Sequence, residues 1–151
     1  MRPVLKSESI ASTIALPSRG MGHEMEHNRT MTNKEKESLV LAKLAAQIMD
    51  EKKAEDVRVL DLRKVHGAPA EYFVIATGNV PSHVSALSDA VYETVKKATG
   101  MAPHKIEGYN NAEWILMDYF DVVVHIFQKD KRAFFRLDEL WSDGEEIAIR
   151  K

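Results

Sequence analysis

The chain has 151 residues, 44% hydrophobic and 29% charged, which suits one globular domain with a modest core and excludes a disordered chain. Its 21 Lys and Arg against 23 Asp and Glu leave a net charge of -2, a poor footprint for a protein that grips a phosphate backbone directly. With no cysteine there are no disulfides, no thiolate catalysis and no Cys-ligated metal, which fits a reducing compartment, and no apolar run reaches the about 18 residues that span a bilayer.

Residues 1–31 have no periodic apolar face and no continuous signal-peptide core, so no fold is expected there. They read as a disordered bacterial extension or as residues ahead of a true start at Met31. Sparse arginine and the acids Glu8, Glu24 and Glu26 count against a mitochondrial or plastid transit peptide. The location expected is the bacterial cytoplasm, and an organelle only if this segment is such a peptide.

Folding is expected to begin at Thr32, which with Glu35 has the spacing of a capping box. Val40, Leu44 and Ile48, with Leu41 and Ala45 beside them, predict an amphipathic helix ending near Lys52 and Lys53. Val57–Arg63 reads as a strand, and Tyr72–Thr77 as a second strand buried on both faces. Gly78-Asn79-Val80-Pro81 breaks that strand, and Ser82 is a candidate cap for a second helix. The face of this helix is Val84, Leu87, Val91 and Val95, and Gly100 closes it. A short extended piece follows near His104–Glu107.

Ala112–Gln128 then forms a hairpin whose strands, Trp114–Met117 and Val122–Phe127, are apolar on both faces, so both faces need cover. Between Glu107 and Gln128 there are four acids (Glu107, Glu113, Asp118, Asp121) and no Lys or Arg, a bias that suits a basic protein partner. A last helix is expected over Lys131–Trp141. The fold class is α/β: a single mixed sheet of about five strands with flanking helices, in one domain over 32–143, followed by a tail over 144–151.

Reactive constellations are scarce. The Thr77-Gly78-Asn79…Ser82-His83 turn resembles a phosphate cradle, but it has one glycine and no following Gly-Lys-Ser/Thr, so it reads as a turn with a helix cap. His23 and His27 have the i, i+4 spacing of a metal pair but lie in the tail, while His66, His83, His104 and His125 are far apart. His125 reads as a sheet histidine with one satisfied nitrogen. The turn carboxylates have no apolar pocket to raise a pKa, and no nucleophile motif occurs. No catalytic residue, metal or cofactor is expected. Trp114, Leu116, Asp118 and Tyr119 remain: with only three helices, one sheet face is expected to stay uncovered and to present an apolar patch with an acidic rim.

The ordered motifs D-L-R…E-Y-F-V-I-A-T-G-N…H-V (Asp61–Val84), I-E-G (Ile106–Gly108), A-E-W-I-L-M-D-Y (Ala112–Tyr119), D-V-V-V-H-I-F (Asp121–Phe127) and L-D-E-L-W (Leu137–Trp141) resemble the ribosomal silencing factor, or Iojap, family across about residues 34–143. The resemblance implies a fold related to nucleotidyltransferases without their catalytic residues. It also implies a non-catalytic translational repressor that binds the large ribosomal subunit through ribosomal protein number fourteen and sterically blocks joining of the small subunit, with a link to large-subunit maturation. Carried over by motif, the partner-binding residues are Trp114, Leu116, Asp118 and Tyr119, with Asp121, Val123 and His125 of the neighbouring strand. Direct nucleic-acid binding and membrane binding are not expected. The chain departs from the family pattern at Phe120, where glycine is usual, and at Val80-Pro81-Ser82.

Two alternatives stay beside this reading. A nucleotidyltransferase-like enzyme needs paired metal-binding carboxylates near the Gly78 turn, and Asp56 and Asp61 are too far apart in sequence to supply them. A homodimer would cover the exposed face with a second copy of the chain.

Overall fold

The computed structural model describes residues 32–149, so the expectations for residues 1–31 lie outside it. Thr32 opens the fold as its spacing predicts. Its hydroxyl accepts from the Glu35 amide and the Glu35 carboxylate accepts from the Thr32 amide, both at 3.1 Å. Helix α1 (Asn33–Glu51) buries Ser38, Leu41, Ala42, Ala45, Ala46 and Met49, while Val40 is exposed and Leu44 and Ile48 are only half-buried. The expected stripe is thus rotated around the helix. Three alanines form the inward face because they let the helix backbone come close to the sheet, which larger residues would hold away.

Strand β1 (Glu55–Asp61) starts two residues earlier than the pattern suggests and carries a register shift between Glu55 and Arg58, where Asp56 adopts φ 48°. Strand β2 (Tyr72–Gly78) is buried along its whole length. Helix α2 (Pro81–Thr99) buries Val84, Leu87, Val91 and Val95 as expected, and Gly100 closes it at φ 80°. Ser82 does not cap it: Pro81 takes the first position and Val80 the cap position, without a side-chain bond. His83 does the local bonding instead. Its Nδ1 accepts from the Asn79 amide at 3.0 Å and its Nε2 lies 2.9 Å from the Lys52 carbonyl, tying the start of α2 to the end of α1.

Strands β3 (Lys105–Glu107), β4 (Trp114–Asp118) and β5 (Val122–Gln128) follow. The single helix expected over Lys131–Trp141 is two, α3 (Lys129–Phe135) and α4 (Leu137–Leu140), divided by Arg136 at φ 52°. The expected C-terminal tail contains a sixth strand, β6 (Glu145–Ile147), paired antiparallel to β1. Three residues with two acids give no readable alternation, so this strand exists through its partner rather than its own pattern.

The sheet order is β3-β4-β5-β2-β1-β6, six strands, with β2 and β5 parallel and the other neighbours antiparallel. Helices α1 and α2 pack on one face, over Val59, Tyr72, Val74, Ala76, Ile115, Met117, Val124 and Ile126. The other face carries Leu60, Phe73, Ile75, Trp114, Leu116, Val123 and Phe127. It was expected to be uncovered, and it is not. Leu62, Ala68 and Ala70 from the β1–β2 connection, with Leu137, Phe135 and Trp141 from the C-terminal helices, pack over it. Two short helices suffice because aromatic rings cover much area per residue.

Candidate functional site

The antiparallel register of β4 and β5 sets Trp114 opposite Phe127, Leu116 opposite His125 and Asp118 opposite Val123. Side chains alternate along each strand, so these six share one face. Five of the residues named from sequence, Trp114, Leu116, Asp118, Val123 and His125, are therefore brought together, but inside the molecule. Trp114 is only 9% exposed, its ring centroid 4.6 Å from both Phe127 and Phe135. Its indole N–H donates to His125 Nδ1 at 3.1 Å.

His125 has one satisfied nitrogen, as its setting in an apolar strand suggests. Because Nδ1 accepts, the ring proton lies on Nε2, which is buried with no hydrogen-bond partner among the described residues. The edge-on Phe73 ring lies 4.5 Å away. Burial drives the imidazole pKa down to about 3, so the ring is neutral at physiological pH.

The acids of the turn are tied into the fold. Asp118 is buried and its carboxylate accepts from the Phe120 amide at 2.7 Å. Asp121 accepts from the Ser38 hydroxyl at 3.3 Å and pairs with Lys34 at 3.6 Å, fastening the turn to α1. Tyr119 turns to the opposite face, among the α1 and α2 residues. Its hydroxyl is buried without a partner among the described residues, and burial raises its pKa to about 12. The expectation that Trp114 and Asp118 face outward from an uncovered sheet face is thus overturned by their burial, while Asp121 stays partly exposed.

What the hairpin does present is Phe120. It is 44% exposed, its backbone is left-handed at φ 71°, and its ring centroid lies 4.5 Å from that of His104. With Met101 it walls a groove of about 220 Å³ whose floor is Leu41, Tyr119 and Val122 and whose polar rim is Lys34, Glu37, Ser38 and Asp121. The signal for it in the sequence was the phenylalanine at a turn position where glycine is usual. Gly108 fixes the far end of the hairpin: at φ 81°, a Cβ there would run into the Trp114 carbonyl oxygen.

The Gly78 turn has a packing reason of its own. A Cβ at Gly78 would lie 2.8 Å from Val84 Cγ2, so glycine lets α2 close on the strand end. Nearby, Arg132 donates to Thr77 Oγ1 at 2.7 Å and to the Asp56 carbonyl at 2.8 Å, and bonds both oxygens of Asp138 at 3.1 and 2.8 Å. It locks α3 to the ends of β1 and β2. Among the described residues no cluster of three or more His, Asp or Glu is placed to hold a metal ion, and no helix is long and apolar enough to cross a membrane.

Comparison with known proteins bears on this arrangement. A family model described as "Ribosomal silencing factor during starvation" matches residues 34–151. The ribosomal silencing factor RsfS of Bacillus subtilis is 38% identical over 104 residues, 69% of this chain and 86% of that protein. The chloroplastic Iojap protein of Zea mays is 32% identical over 109 residues, 72% of this chain and 45% of that one. A crystal structure of a Chromobacterium violaceum protein superposes with a TM-score of 0.66 at 30% identity, covering 74% of this chain and 90% of that one. A Bacillus halodurans crystal structure gives 0.62 at 34% identity, covering 73% and 98%.

Proposed function

We propose that this chain, which belongs to the ribosomal silencing factor family, represses translation without catalysis, by occupying a surface of the large ribosomal subunit so that the small subunit cannot join. The contact is ribosomal protein number fourteen, and the same contact links the chain to large-subunit maturation. The observation that carries this is the family match over residues 34–151, almost the whole of the described domain.

The β4–β5 hairpin is the docking element. Trp114, Leu116, Val123 and His125 act from beneath, as a rigid aromatic floor, while Asp118, Tyr119 and Asp121 hold the turn in shape. Such pre-organisation reduces the ordering cost of association. A steric block needs only affinity and bulk at the right place, and the carboxylates and histidine of the hairpin are engaged in holding the fold.

Sedimentation through sucrose tests the reading. The protein is expected to pellet with free large subunits and not with joined ribosomes. Equal binding to both would overturn the steric mechanism.

A further inference from the structure

We propose that the groove between α1 and the β4–β5 turn seats one apolar side chain of a basic protein segment, with Phe120 and Met101 as its walls and Glu37 as the counter-charge. The inference rests on the ribosomal reading above and specifies how that partner is gripped. Three observations carry it.

The first is an exposed aromatic held at a conformational cost. Phe120 adopts φ 71°, a region that disfavours a bulky side chain, and yet its ring is 44% exposed. The turn over-determines this geometry: the Asp118 carboxylate takes the Phe120 amide, Asp121 N donates to the Tyr119 carbonyl at 2.9 Å, and Tyr119 N donates to the Val122 carbonyl at 2.9 Å. Folding gains little from a ring held out in water. Binding gains an anchor that is already in place.

The second is the size and lining of the groove. About 220 Å³ is smaller than the roughly 300–1,000 Å³ of small-molecule sites, and suits a single side chain. The floor is apolar and buried, and Met101, 43% exposed, adds an adaptable side chain to the lining.

The third is charge. Lys34 on the rim is neutralised by Asp121 at 3.6 Å, whereas Glu37 on the same rim has no ion pair among the described residues. The rim therefore carries a surplus negative charge, which attracts Lys or Arg flanking the inserted side chain and repels phosphate.

The test is a pelleting titration with purified large ribosomal subunits at two salt concentrations. Phe120→Gly relaxes the left-handed residue, so its fold is not at risk. Phe120→Gly and Met101→Ser are each expected to weaken binding about tenfold. Glu37→Lys is expected to weaken it and to remove much of its salt dependence. Phe134→Ser, at an exposed phenylalanine in α3 beyond the other end of β5, is expected to bind as wild type. Wild-type affinity in all three groove variants, with the wild-type protein binding normally, would overturn the groove and leave the ribosomal reading standing. Loss of binding in Phe134→Ser alone would likewise exclude it. Failure of the wild-type protein to bind would bring down the ribosomal reading itself.

Discussion

Trp114 and His125 are joined across the β4–β5 pair by a hydrogen bond of 3.1 Å from the indole nitrogen to Nδ1, within a sheet face closed by the chain's own C-terminal helices. That bond fixes the tautomer of a buried imidazole and makes the tryptophan a structural anchor of the hairpin. Trp114→Phe keeps an aromatic ring but removes the N–H donor and part of the buried surface, leaving Nδ1 buried and unpaired. Denaturant unfolding is expected to show a loss of about 1–3 kcal/mol.

The same histidine sets a pH dependence. Its folded pKa of about 3 lies below its ordinary value, so the unfolded chain binds more protons between those two values. Stability is therefore full above about pH 6.5 and is lost as pH falls toward 3, by about 2 kcal/mol at pH 5. Asp61 and Asp138 act in a lower window. Burial pushes each carboxyl up, but bonds from Arg63 and Arg132 outweigh it and hold both below the usual range. Their contribution is present above about pH 4 and is lost below that. Urea unfolding of wild type and His125→Leu at pH 7 and pH 5 checks this: the slope between those pH values is expected to shrink in the variant.

Phe120→Gly is expected to stabilise the fold by up to about 1 kcal/mol, because glycine adopts φ 71° without strain. The contact with His104 at 4.5 Å offsets part of the gain. Thermal unfolding gives the sign directly, and a lower melting temperature would show that the ring contributes more to folding than its backbone costs.

Much of the fold was legible because local chemistry and tertiary demand agree. The Thr32–Glu35 capping box, the Val84, Leu87, Val91 and Val95 stripe, the Gly100 cap and the two-sided apolar runs of β2 and β5 are each over-determined by sequence. What was not legible depends on partners distant in the chain. The inward face of α1 is set by Ala42, Ala45 and Ala46 because the sheet needs a close approach, a demand that hydrophobicity does not rank. Strand β6 is made by β1. The cover over Trp114 comes from Phe135, Leu137 and Trp141, whose reach exceeds what counting helices suggests. An acid in a turn looks solvated in sequence, yet the Asp118 carboxylate holds the Phe120 amide at 2.7 Å.

Arg132 closes the joint between α3 and the sheet, and its removal exposes that dependence. Arg132→Met leaves the half-buried Asp138 with only the longer 3.9 Å ion pair to Arg58, and the Thr77 hydroxyl without its donor. A loss of about 3 kcal/mol is expected from denaturant unfolding. Arg132→Lys is expected to recover only part of it, since one ammonium cannot reproduce the bidentate geometry.

Gly108→Ala is expected to cost about 2 kcal/mol or more, since the methyl group meets the Trp114 carbonyl at a positive φ. Because the collision is with the first residue of β4, backbone amide exchange in β4 should accelerate more than in α2. Uniform acceleration across the domain would place the damage elsewhere.

The central claim is that the chain represses translation by standing where the small subunit must dock. Light scattering of subunit joining measures this most directly, with purified large subunits pre-incubated with increasing amounts of the protein before small subunits are added. The account predicts that the joined fraction falls in proportion to the occupied large subunits. Undiminished joining on large subunits saturated with the protein would contradict it.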